Sequence, residues 1–213
     1  MGTIKKGILG GFSGKVGNVS GANWNGINVI RSLPGKRSKS TNPVLLSQQA
    51  RFKLAVAFVK SFGNLWPVTF NVRAVRMSEK NRAVSYMLTN AIVGVYPDIS
   101  IDFSKVLISA GDLPNAVAVK AGSTEAGQVE FSWTDNSGIA SARPDDISIL
   151  AVYDPLTGHA VYTTTGAARS SGKAVLDASN LPGARVQTFL GFISKDGNRV
   201  SNSIYTGEVT IAV

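Results

Sequence analysis

Two hydrophobic periods divide the chain. From about residue 43 the apolar positions recur with helical spacing, and from about residue 94 they alternate as in short strands. Leu46, Ala50, Leu54, Phe58 and Phe62 stand at steps of four and predict a helix with a core-facing stripe. Asn42 suits its cap and Pro43 its first position, while Gly63 and Pro67 mark its end. A second helix is predicted to begin at Ser78, with Val84, Met87, Leu88, Ala91 and Ile92 on one face. Arg51, Lys53, Lys60, Lys80 and Arg82 then decorate the outer faces. Between the helices, Val68-Thr69-Phe70-Asn71-Val72 fits a strand or a loop equally well. Ile99, Ile101 and Phe103 alternate, and Val106-Leu107-Ile108 continues that run to the turn Gly111-Asp112-Leu113-Pro114. Short strands are then expected at 115–120, 128–134, 147–153, 159–165, 172–177, 185–194 and 199–211. Seven of them at that spacing suit an antiparallel sandwich.

The first 42 residues follow neither period. Glycines fall at 2, 7, 10, 11, 14, 17, 21, 26 and 35. A helix lined by them is disfavoured, since each costs about 1 kcal/mol relative to Ala in a helix interior. An extended arm with a hairpin fits better. Val16 and Val19 precede Asn25-Gly26, a dipeptide suited to a type I′ turn, and Ile27, Val29 and Ile30 follow it. Leu33-Pro34-Gly35-Lys36-Arg37-Ser38-Lys39-Ser40 reads as a basic connector. The expected fold is α+β: an arm over 1–42, a helical unit with short strands over 43–111, and an antiparallel β-sandwich over 112–213.

Two resemblances rest on particular residues. Val129-Glu130-Phe131-Ser132-Trp133-Thr134-Asp135 resembles the second strand of an immunoglobulin-like or fibronectin type III domain, with Trp133 as its core aromatic. Leu176 to Leu181-Pro182-Gly183, then Val186 to Phe192, resembles the fifth and sixth strands of such a domain. Arg185 and Val186 stand where that pattern often has a Tyr. This resemblance implies a sandwich and no particular function. Gly7-Ile8-Leu9-Gly10-Gly11-Phe12-Ser13-Gly14-Lys15-Val16-Gly17-Asn18-Val19, Trp24-Asn25-Gly26 and Arg31-Ser32-Leu33-Pro34 resemble a bacterial family of small basic proteins of unknown function. Gln49-Ala50-Arg51-Phe52 and Ser109-Ala110-Gly111-Asp112-Leu113 fit it too. That resemblance implies a common fold and carries over no activity.

Charge sharpens the division. The net charge of +9 is the sum of +13 over residues 1–90, with Glu79 as their single acid, and −4 over residues 91–213. Residues 1–78 carry no acid at all, which points to a polyanion or to the acidic surface of another copy. The chain has no cysteine, which excludes disulfides and thiolate metal sites. No apolar run approaches the ~20 residues that cross a bilayer. Ile8-Leu9 is cut short by Gly10-Gly11, so a signal-peptide core is missing, and Lys6 stands where myristoylation wants Ser or Thr. Synthesis in the cytoplasm without a signal peptide is expected, and release, if any, inside an assembled particle.

Catalytic constellations fare poorly. Gly10-Gly11-Phe12-Ser13-Gly14-Lys15 looks like a phosphate-binding loop, but Leu9 replaces its first Gly and Val16 its metal-binding hydroxyl. His159, the single histidine, sits in Asp154-Pro155-Leu156-Thr157-Gly158-His159, which reads as a turn. Asp135 and Asp145-Asp146 lack calcium-loop spacing. The expectation is therefore a non-enzyme without metal, cofactor or small-molecule substrate.

Two binding roles remain. In the first, an apolar arm too short to bury its own edges adds strands to a neighbour through Val16, Val19, Trp24, Ile27 and Val29. Such a homo-oligomer or polymer is a structural subunit of a particle, tube or filament, an architecture that phage coat and sheath subunits share. In the second, Lys15, Arg31, Lys36, Arg37 and Lys39 contact the phosphates of a nucleic acid while Trp24 stacks on a base, independent of sequence.

Overall fold

The structure, a computed structural model, describes residues 2–4, 10–24, 26–35, 42–70 and 77–213. They fall into two compact units, Met1–Asn42 and Pro43–Val213.

The first unit is a four-stranded antiparallel sheet. Its strands β1 (Thr3–Ile4), β2 (Phe12–Val16), β3 (Val19–Trp24) and β4 (Ile27–Ser32) lie in chain order. The predicted Asn25-Gly26 hairpin joins β3 to β4, with Trp24 opposite Ile27 and Gly26 at φ +83°; Asn25 lies outside the described residues. Val16 and Val19, expected on one strand, instead face each other across a second two-residue turn. Gly17 opens that turn at φ +56°, which its missing Cβ permits and which a II′-type hairpin asks of its first central residue. The arm is therefore two hairpins sharing β3.

In the second unit, α1 (Pro43–Ser61) is the first predicted helix. Leu46, Ala50 and Leu54 are half-buried, and Phe58 and Phe62 are buried. A step of four overshoots the helical turn by about 40°, so a straight stripe drifts around the helix. Ala55 and Val59 accordingly join the buried side. The undecided segment begins as a helical turn, α2 (Trp66–Thr69), and ends in a bend at Phe70; Asn71 and Val72 lie outside the described residues. Ser78 caps α3 (Glu79–Tyr86) by accepting the Asn81 N–H at 3.4 Å. A single π-helical turn, Met87–Ala91, extends it. Ile92, expected on that helix, opens strand β5 (Ile92–Val95), which pairs with β6 (Asp98–Ile101). Phe103, expected in the strand, begins a 3₁₀ turn after Asp102 accepts the Ser104 N–H.

The seven later strands stand close to their predicted places. They are β7 (Val117–Gly122), β8 (Gln128–Thr134), β9 (Ile147–Tyr153), β10 (Ala160–Thr163), β11 (Lys173–Asp177), β12 (Arg185–Ile193) and β13 (Ile204–Thr210). One sheet runs β11-β8-β7 and the other β10-β9-β12-β13, every pair antiparallel. In β8 the alternation is clean, with Val129, Phe131 and Trp133 buried between exposed neighbours. β9 and β12 are buried on both faces, which explains their unbroken apolar runs. Leu150, Val152, Val186, Leu190 and Phe192 meet the β8 sheet in one cluster. Ile149, Ala151, Tyr153, Phe189 and Ile193 belong to a second cluster, shared with Phe58, Phe62, Trp66, Met87 and Ile108. Aromatic edges hold this layer: the Phe58 and Tyr153 rings stand 4.8 Å apart, and Trp66 donates its indole N–H to the Val59 carbonyl at 2.7 Å. The helical segment and the sandwich therefore share one core.

Candidate assembly surface

The arm sheet is nearly all surface. Among its described residues only Gly21 is buried, and β4 is exposed along its whole length. Cross-strand partners share a face, so the register sorts the side chains. Lys15, Ser20 and Arg31 form a row on one face, followed by Ala22 with Val29 and then Trp24 with Ile27. The opposite face carries Ile4, Phe12, Val16, Val19 and Ile30, without a charge among its described residues. The five apolar arm residues singled out from sequence therefore divide, Val16 and Val19 on one face and Trp24, Ile27 and Val29 on the other. Of the five cations, Lys15 and Arg31 share the Trp24 face, and Lys36, Arg37 and Lys39 lie outside the described residues. A concavity of about 290 Å³ on the Trp24 face is lined by Ala22, Asn23, Trp24, Val29 and Arg31.

Burial makes this an unusual sheet. Trp24, Ile27 and Ile30 are each at least half exposed, at 52%, 50% and 63%. A stable small sheet normally hides one apolar face against a second layer. Here both faces present apolar side chains to solvent.

α1 shows a second apolar surface that the stripe of step four does not reveal. Leu45, Phe52 and Val56 are exposed, and with Leu88 they line an open groove of about 940 Å³. Their spacing of seven and then four residues was a legible signal, masked by the stronger stripe on the buried side. Two bases expected on outer faces are instead turned to backbone. Arg51 donates to the Ile92 carbonyl at 2.8 Å, and Arg82 to the Phe70 carbonyl at 2.7 Å. Phe70 follows the last residue of α2 and Ile92 stands between the π-helical turn and β5, so each guanidinium serves a carbonyl at a change of structure.

Sequence reasoning also missed a buried polar centre at one end of the sandwich. Arg169 is fully buried; its Nε lies 3.0 Å from the Asp146 carboxylate, which also accepts the Arg143 N–H. Its other nitrogens donate to Asn136 Oδ1 and the Pro114 carbonyl, both at 2.8 Å, and the guanidinium sits 4.1 Å from the centre of the Phe192 ring. Trp133 donates its indole N–H to the Arg169 carbonyl. Each nitrogen of this guanidinium donates to a loop of the sandwich, so the arrangement is a structural pin.

The residues weighed for catalysis are scattered. His159 is exposed in its turn, where Asp154 accepts from the Thr157 hydroxyl and the Leu156 N–H. Burial raises the Asp154 carboxyl, and these hydrogen bonds outweigh it to leave a net lowering. Asp135 accepts twice from Ser137, and the Ser137 hydroxyl and N–H hold it below the ordinary carboxylate range. Among the described residues no three acidic or imidazole groups gather as a metal set, and no helix is long and apolar enough to cross a membrane. Gly10 to Lys15, the stretch that looked like a phosphate loop, runs through a bend into β2.

A family model described as "Family of unknown function (DUF6266)" matches residues 11–207. No curated protein matches the chain. Among solved structures, the fn3 domain of the human collagen alpha-1(XX) chain is similar over 49% of this chain and 90% of its own. It is 13% identical, with a TM-score of 0.35.

Proposed function

The chain belongs to the DUF6266 family of unknown function, and from its own geometry we propose that it is a non-enzymatic structural subunit which self-assembles through its N-terminal sheet. One observation carries this reading: a sheet with apolar side chains exposed on both faces and, among its described residues, a single buried one. Apolar surface is worth about 25 cal/mol per Å² when removed from water, so covering these side chains with a second copy supplies a driving force for association. A basic front part and an acidic rear part give copies a complementary charge as well. The product is a particle, tube or filament according to whether the contacts close.

The test is size-exclusion with light scattering on the whole chain and on a variant lacking residues 2–40. The whole chain is expected to form a large, regular species and the truncated chain a folded monomer. Assembly by the truncated chain overturns the reading.

A second reading has its own support. Trp24, Lys15 and Arg31 stand on one face, so an aromatic platform lies beside a basic row, as single-stranded nucleic acid requires. In that case the large species has a high 260/280 nm absorbance ratio and falls apart with nuclease or salt.

A further inference from the structure

The edge strand β4 separates the assembly reading into a specific contact. Backbone bonding in an antiparallel pair alternates along the strand. Leu33 donates its N–H to the Asn18 carbonyl at 2.9 Å, just beyond the Val19–Ser32 pair. The odd-numbered residues of β4 therefore bond inward to β3. Asn28, Ile30 and Ser32 turn their N–H and C=O groups outward, along a side where the sheet order places no further strand.

Three edges of the sandwich are blunted. β7 is broken by a register shift with Ala118 at φ +52°, β10 has only four residues, and β13 is bulged opposite Thr188 and Phe189. Such devices prevent edge-to-edge pairing. β4 has none of them: its six residues are exposed and include no proline or lysine, with Ile27 at its start, Val29 and Ile30 at its centre and Arg31 as its one charge.

Resting on the assembly reading, we propose that β4 pairs antiparallel with β4 of a second copy about a two-fold axis through Ile30. Identical strands paired this way keep each face continuous only when paired residue numbers sum to an even value. An axis at Ile30 sets Ile30 against its own copy and Asn28 against Ser32, which uses all three outward residues. It also sets Val29 beside Arg31, whereas an axis at Arg31 would oppose two like charges. The result is an eight-stranded sheet, closed at two copies, with its uncharged apolar face doubled in area. The repeating block of the larger particle is then this dimer.

The cysteine-free chain makes the test direct. Full-length Ile30→Cys, Asn28→Cys and Ser32→Cys variants are oxidised mildly and run on non-reducing gels. At the axis, Cα atoms lie about 5.5 Å apart, within disulfide reach, whereas copies of residue 28 or of residue 32 lie about 14 Å apart. Ile30→Cys is expected to cross-link to itself roughly ten-fold faster or more than either other variant. Asn28→Cys and Ser32→Cys are expected to cross-link when mixed. Ile30→Pro removes an outward N–H and spares the β3 ladder, so it is expected to abolish the dimer while circular dichroism stays unchanged. A large particle without cross-linking at Ile30, or with equal cross-linking at all three positions, overturns the β4 pairing and leaves arm-mediated assembly standing. A full-length monomer at every concentration overturns both.

Discussion

At the residue scale, Arg169 shows how much one side chain can hold. Its guanidinium ties Asp146 and Asn136, at the two ends of the β8–β9 connection, to Pro114 ahead of β7, and lies over the Phe192 ring. Removing it leaves the Asp146 carboxylate buried without its cation. Arg169→Ala is therefore expected to cost about 3–5 kcal/mol in urea denaturation, and a loss below about 1 kcal/mol would contradict the pin. Nothing around Arg169 in the sequence, Ala167-Ala168 before it and Ser170-Ser171 after it, signals burial. Its partners are 23, 33 and 55 residues away, so the site exists only after the sandwich has closed. Trp133, by contrast, was legible, because strict alternation through Val129 and Phe131 places it inward. The same contrast runs through the arm. Asn25-Gly26 announced its hairpin, while Gly17-Asn18 was lost among nine glycines of the first 42 residues and took the face assignment of Val16 and Val19 with it.

At the scale of elements, strands were easier to read than helix surfaces. Two of the sandwich strands, β8 and β9, carry their predicted limits, since turn residues flank each run. Helix α1 was found, but its exposed seam of Leu45, Phe52 and Val56 was not, because one apolar stripe satisfies the period and a second adds no new signal. The junction of helices and sandwich could not be read at all: the double burial of β9 and β12 records a covered sheet but not its cover. That shared core has a measurable consequence. Trp66 reports the helical layer and Trp133 the sandwich interior. In variants retaining one of these two tryptophans, the denaturant midpoints are expected to coincide. Two separated transitions would show that the layers unfold independently.

At the scale of the whole molecule, charge and pH act together. Hydrogen bonds from Ser194 and Asn198 lower the Asp196 carboxyl from 3.8 to about 2. The Arg199 side chain lowers Asp112, the Ser104 hydroxyl lowers Asp102, and the Ser179 N–H lowers Asp177. A folded-state pKa below the unfolded value gives stability that is complete above the unfolded value and lost as pH falls through the folded one. The melting temperature is thus expected to drop between about pH 4 and pH 2, and Asp196→Asn to flatten part of that slope. An acid-insensitive melting temperature would rule this out. The basic front part, with Glu79 as its single acid, stays cationic throughout this range. Finally, in the proposed assembly the first half of α1, none of it fully buried, takes on a mechanical meaning. In a filament under load, tension entering from the arm reaches Pro43 first. The helix resists it only weakly until Arg51, which is latched to the carbonyls of Ile92 and Gly94. Uncoiling that stretch from helical to extended rise would release about 15 Å of chain, a short spring in series ahead of the aromatic anchor in the proposed assembly.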